Sequence, residues 1–297
     1  PPRSTLFPYT TLFRSVSMYN TLISTQELAD NLKNPDWVIV DCRFQLLDPG
    51  LGEKEYRQGH IPGAVYAHQD NDLASPVTNM SGRHPLPEPA VFIETLRKWG
   101  ISNDNQVVVY DAANGGMAAR LWFLLKYYGH EAVAMLDGNL PQWQSENRAL
   151  EEGEHKNSPG DFYGEPNSGM VVSTTEVKAM LGSTKTVLID SRAPERYRGE
   201  VEPVDTVAGH IPGAVNRFFG NKLETSGLFK SPETLRAEFM QLLGDIQPQD
   251  AIVYCGSGPT SCHNLVAMAY AGLPLARDYA GSWSEWIRDP ENPVEKG

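Results

Sequence analysis

The chain has 297 residues, enough for one large or two ordinary domains. Its 40% hydrophobic and 21% charged content is that of a globular protein, not of a disordered or fibrous one. With 25 Lys and Arg against 37 Asp and Glu the net charge is −12, which argues against a nucleic-acid partner or an anionic membrane surface. Three cysteines (Cys42, Cys255, Cys262) cannot make a disulfide framework or a four-cysteine zinc site, and no apolar run approaches the ~20 residues of a membrane span, so a reducing, cytoplasmic setting is expected.

In chain order, residues 1–17 come first. The stretch TLFPYTTLFRS, from Thr5 to Ser15, resembles the conceptual translation of a sequencing adapter and has no long apolar core. A non-native leader is expected there, with a natural start near Met18. Four blocks then occur twice in the same order. VIVDCR (38–43) is matched by VLIDSR (187–192), and GHIPGAV recurs at 59–65 and 209–215. VVVYD (107–111) is matched by AIVYC (251–255), and LDGNLPQW (136–143) by YAGSWSEW (279–286). Such a repeat is too long for a solenoid and predicts two homologous domains. The first is expected over 18–150 and the second over 171–297. The polar, Gly- and Pro-containing residues 151–170 form the linker.

The short apolar runs are of strand length and rich in β-branched residues. Between them, residues 89–99 space Val91, Phe92, Leu96 and Trp99 for one helical face, and 232–243 follow Ser231 as N-cap with Pro232 at the first helical position. Residues 118–128 and 262–271 are apolar nearly all round, as helices buried beside a sheet would be. The fold class is therefore α/β: two tandem domains, each a mainly parallel sheet flanked by helices.

The repeats differ where chemistry is expected. The third block ends in Asp111 in the first repeat and in Cys255 in the second, where the loop Gly256-Ser257-Gly258 and a helix follow. Ligands of open α/β sheets bind beyond the carboxyl ends of the strands. Loop N–H groups and a helix N-terminus there stabilise an anion and favour a thiolate nucleophile. Cys262 and Cys42 read as core, Cys262 with a resolving thiol as the alternative. His60 and His210 recur in both repeats and read as fold-level hydrogen-bonding residues. A cysteine phosphatase would need arginine at position 261, which is Ser261. A non-catalytic binding module is the remaining alternative, and Asp111 suggests that role for the first domain.

The duplicated layout, the two GHIPGA motifs, Asp190-Ser191-Arg192 and Cys255-Gly256-Ser257-Gly258-Pro259-Thr260 resemble the two-domain rhodanese sulfurtransferases. The neutral loop most resembles that of 3-mercaptopyruvate sulfurtransferases, since thiosulfate sulfurtransferases carry basic residues there. The resemblance implies sulfur transfer from a small-molecule donor to a thiol or cyanide through a Cys255 persulfide, with no metal and no organic cofactor. It implies that Ser257, Asp70 and His84 take part in catalysis as a proton relay. Arg196 would bind the donor carboxylate, and Gly256, Gly258 and Thr260 would line the substrate site. Two residues depart from the pattern. Val204 stands where a second arginine is usual, so that carboxylate contact is either lost or supplied by another arginine such as Arg192 or Arg198. Pro259 lacks an N–H, so a formed loop with weaker anion binding is expected.

Overall fold

The computed structural model describes residues 18–297, so the leader expected at 1–17 lies outside the described residues. In the first domain the strands β1 (Leu22–Ile23), β2 (Trp37–Asp41), β3 (Ala64–Tyr66), β4 (Gln106–Tyr110) and β5 (Val133–Leu136) form a parallel sheet in the order β1-β5-β4-β2-β3. Its helices are α1 (Thr25–Asn31), α2 (Leu51–Gln58), α3 (Pro89–Lys98), α4 (Ala118–Tyr127) and α5 (Asn139–Ser145). Both faces of the sheet are covered. Val107 and Val109 of β4 pack with α3 and α4, while Val108 and Tyr110 pack with α1 and α5. This two-sided burial is why the strands read as unbroken apolar runs.

The second domain repeats the plan with α6 (Thr174–Met180), β6 (Val187–Asp190), α7 (Pro194–Tyr197), β7 (Val215–Asn216), α8 (Pro232–Leu243), β8 (Ala251–Tyr254), α9 (Cys262–Tyr270), β9 (Arg277–Asp278) and α10 (Ser282–Trp286). Its parallel sheet runs β7-β6-β8-β9, and a parallel bridge from Val171 to Asp278 stands where β1 pairs with β5 in the first domain. The four helices expected from the sequence are present, ending within a residue of their predicted limits. Ser231 caps α8 by accepting from the Thr234 N–H at 3.2 Å.

The repeated motifs form one framework twice. Arg43 grips Asp41 at 2.6 Å, and Arg192 grips Asp190 at 2.7 Å, all four side chains being buried. Each arginine also donates to the glycine carbonyl that opens the GHIPGAV motif, Gly59 or Gly209. The Ile61 and Ile211 N–H groups donate to the hydroxyls of Tyr110 and Tyr254. His60 and His210 stack on Tyr56 and Tyr197, and their Nδ1 atoms lie within 2.9 and 2.7 Å of those tyrosines' carbonyls. The two histidines thus close the turn before β3 and β7.

Helices α4 and α9, equivalent in the two repeats, pack on each other, so one hydrophobic cluster runs through both domains. The polar segment expected as a linker is a strap on the first domain. Glu151 bridges His60, the Gly160 N–H donates to Arg97 at 2.8 Å, and Phe162 is fully buried. A single aromatic in a polar stretch anchors it.

The loop after β4 differs from its counterpart after β8 in what fills it. The carboxylate of Asp111 accepts from the N–H groups of Ala113, Gly115, Met117 and Ala118 at 2.8–3.3 Å. The side chain fills its own anion cradle. Burial nonetheless holds the carboxyl above its usual range, with those four N–H groups opposing. Asp111→Ala would take the acceptor from all four donors, of which Gly115 and Ala118 are buried. It is expected to cost about 1–3 kcal/mol in urea unfolding, read against the unaltered chain.

Candidate active site

Cys255 follows the last residue of β8, and residues 256–261 turn into α9. Gly258, at φ +106°, turns its N–H back to donate to Cys255 Sγ at 3.1 Å. Ser261 fixes the base of the loop by donating from Oγ to Gly258 O at 2.7 Å, and its Oγ lies 2.8 Å from Asp278 Oδ1. Pro259 supplies no N–H, yet the cradle closes on sulfur through Gly258, and α9 begins only at Cys262. The Cys262 thiol is fully buried and donates to Gly258 O at 3.3 Å. Burial pushes it well up, so it stays a thiol and belongs to the core. Cys42 is likewise buried and pushed up.

The first domain completes the site through residues 81–84, which lie along α10. Ser81 O accepts from Arg288 Nε at 3.1 Å, and the Arg83 N–H donates to Ser284 Oγ at 3.0 Å. A Cβ on Gly82 would stand 2.5 Å from Gly281 O, so only glycine permits this approach. The next residue, His84, then reaches the active loop. Its Nδ1 lies 2.8 Å from Ser257 Oγ and its Nε2 3.0 Å from Asp70 Oδ1. Burial pulls the His84 imidazole down to about 4, with Asp70 opposing, so the ring is neutral at pH 7. The carboxylate fixes the tautomer: Nε2–H donates to Asp70, and Nδ1 accepts from the Ser257 hydroxyl. The three residues expected as a relay are therefore in line.

Arg196, on α7, donates to Glu202 from Nε at 3.2 Å and from Nη2 at 2.6 Å, and to Asp205 from Nη2 at 3.2 Å. With Cys255, His84, Met117 and Thr260 it borders a cavity of about 110 Å³. Thr260 turns its methyl toward Gly116 of the loop after β4. A wider groove of about 360 Å³ shares Leu46, Arg83 and His84 with this cavity and opens to Asp70 and Val77. So small a cavity against a cysteine suits a ligand of a few heavy atoms.

The Rhodanese-like domain family matches residues 24–146 and 173–289. The chain belongs to the rhodanese family. It is 47% identical over 278 residues to the Pseudomonas aeruginosa protein named "Probable 3-mercaptopyruvate sulfurtransferase", covering 93% of this chain and 98% of the relative. It is 34% identical to a thiosulfate sulfurtransferase of Rattus norvegicus, covering 94% and 97%. A 3-mercaptopyruvate sulfurtransferase structure from Leishmania major superposes with a TM-score of 0.81 at 28% identity, over 91% of this chain and 76% of that one. The rhodanese repeat accordingly sits twice in the chain, and the enzyme is a sulfurtransferase.

One expectation needs correcting. Neither Arg192 nor Arg198 replaces the arginine missing at Val204. Arg192 is spent inside the second domain on Asp190, Gly209 O and Glu202, and Arg198 pairs with Glu200 on the surface. The second guanidinium at the cavity is Arg83, which pairs with Asp205 across the domain boundary. Its only signal in the sequence was its place beside His84.

Gly82→Ala should force residues 81–84 off α10 and move His84 from Ser257. A displacement near 1 Å is expected to lower kcat/KM by about 10- to 100-fold, read in steady-state kinetics, with the fold retained by circular dichroism.

Proposed function

We propose that this rhodanese-family sulfurtransferase moves sulfane sulfur from 3-mercaptopyruvate to a thiol or cyanide through a persulfide on Cys255. The observation that carries the reading is a cysteine in an uncharged loop, sharing a small cavity with Arg196. Thiosulfate bears two charges next to the transferred sulfur and calls for cations in the loop itself. 3-Mercaptopyruvate bears its carboxylate at the far end, where a planar guanidinium can hold it.

In this chemistry the Cys255 thiolate attacks the donor sulfur. The carbon–sulfur bond breaks with its electron pair on carbon, and the donor's thiol proton ends on that carbon, giving pyruvate and an anionic persulfide. Ser257 lies where it can accept the thiol proton. Neutral His84 can take the serine proton in exchange, and Asp70 steadies the ring. The cradle at Gly258 and the N-terminus of α9 favour negative charge on sulfur before and after transfer. An acceptor thiolate or cyanide then attacks the outer sulfur and releases the Cys255 thiolate. All three cysteines are free and buried, which supports the reducing, cytoplasmic setting.

Donor choice is tested on the purified enzyme. kcat/KM is expected to be higher for 3-mercaptopyruvate than for thiosulfate, and Arg196→Ala to lower it by roughly 10- to 150-fold, the loss of one charged hydrogen bond. Intact mass should show one added sulfur that Cys255→Ser abolishes. A preference for thiosulfate, or loading that maps to Cys262, would overturn the reading.

The relay has its own test. The His84 ring should titrate near pH 4 by NMR instead of near 6.5, and His84→Asn should lower kcat by about 10²- to 10⁴-fold.

A further inference from the structure

We propose that Asp278, buried beneath the nucleophile loop, is a positioning residue that works as a carboxylic acid: its proton, held toward Ser261, orders the Gly258 turn at Cys255. The inference goes beyond the donor reading and shares with it only the assignment of Cys255 as nucleophile.

The internal repeat singles out the pair. Asp278 of β9 lies opposite Val253 of β8, as Met135 of β5 lies opposite Val109 of β4. Ser261 follows Cys255 at the same distance along the chain as Met117 follows Asp111. The first domain thus has two methionines where the second has a hydroxyl and a carboxyl, both fully buried. Packing alone does not favour that exchange, because a buried carboxyl costs free energy unless it is hydrogen-bonded.

Hydrogen counting decides the state of the carboxyl. Ser261 Oγ lies 2.7 Å from Gly258 O and 2.8 Å from Asp278 Oδ1. A hydroxyl has one hydrogen, while a carbonyl and a carboxylate only accept. Both contacts are full hydrogen bonds only when Asp278 donates to Ser261 and Ser261 donates to Gly258 O. Asp278 Oδ2 has no partner among the described residues. The ionisable groups that bear on the carboxyl are Arg120 of α4 and Cys262 of α9. Arg120 directs Nη2 to His84 O and Pro85 O, and Cys262 stays a thiol. Burial pushes the Asp278 carboxyl up to about 6, with Arg120 and the Ser261 hydroxyl opposing.

The proton matters because the turn has few other bonds. Pro259 contributes no N–H, so Gly258 O is held by Ser261 and by the Cys262 thiol, a weak donor at 3.3 Å. Holding that carbonyl keeps Gly258 at φ +106°, the conformation that turns its N–H onto Cys255 Sγ. As pH rises through about 6, the carboxylate becomes the stronger acceptor and draws the serine hydrogen away from Gly258 O. The turn then loosens at Cys255. The sign is the reverse of an ion-paired carboxylate's: a raised value makes the contribution present in acid and lost toward neutrality.

The test compares the unaltered full chain with Asp278→Asn and Ser261→Ala. Infrared difference spectra between about pH 5 and about pH 8 should show a buried protonated carboxyl that disappears with a midpoint near 6 and is absent from Asp278→Asn. Rates are read with the better of two donors, 3-mercaptopyruvate or thiosulfate. An asparagine amide donates at every pH, so Asp278→Asn should equal the unaltered enzyme in acid and exceed its kcat/KM by ~3-fold or more at about pH 8. Ser261→Ala should be slower than the unaltered enzyme in acid and should lose the step near 6. His84 titrates near 4, outside this window. The inference is overturned if the carboxyl band is missing in acid, which means an ionised Asp278 beside Arg120. It is equally overturned if the unaltered profile has no step near 6, or if the step survives in either variant. Should Asp278→Asn fail to fold, the spectra of the unaltered chain and the profile of Ser261→Ala decide. If sulfur loading maps to a residue other than Cys255 while the band and its midpoint are found, the nucleophile assignment falls and the protonated Asp278 stands.

Discussion

The active site depends on four residues of one domain being held against a helix of the other. Residues 81–84 sit on α10 because Gly82 has no Cβ to strike Gly281 O, and because Ser81, Gly82 and Arg83 each bond to the second domain there. That contact places Arg83 at Asp205 and His84 at Ser257. The packing of α4 on α9 makes it possible, since it joins the two cores in one cluster and fixes the distance between loops. A buried apolar contact sets the frame, and polar groups at its edge do the selecting.

Within that frame the two repeats answer one physical problem differently. A parallel strand running into a helix leaves backbone N–H groups converging at the turn, and these need an acceptor. The first domain satisfies its turn with the carboxylate of Asp111, which accepts four of them. The second presents a cysteine sulfur, which accepts from Gly258. One residue at the strand end thus separates a turn filled by a carboxylate from one that presents a thiol, although the Asp–Arg pairs, the tyrosine hydroxyls and the stacked histidines beneath are the same.

Much of this was legible in the sequence because duplication prints each structural rule twice. His60 and His210 could be assigned to the fold since both repeats keep them, the one with Asp111 and the one with Cys255. Cys255 stood out against Asp111 at the same position, and Asp70, His84 and Ser257 could be named although they lie far apart in the chain and meet only in the fold. What escaped was everything set by the docking of one domain on the other. Nothing in the sequence singled out Arg83, because no local pattern says that a loop crosses a cleft. The strap at 151–170 was missed for a related reason: composition averages over Phe162, while burial depends on that one ring.

Asp111 has a further consequence for the enzyme at rest. The first domain carries its anion permanently in the chain, so its turn has the same partners at every stage of a cycle. On the proposed chemistry the second domain's turn instead holds sulfur of two lengths, the Cys255 thiolate before loading and the persulfide after it, with Gly258 already donating to the inner sulfur. The two turns therefore differ in what they can give up: a carboxylate bonded covalently to its own chain stays, and an outer sulfur can leave.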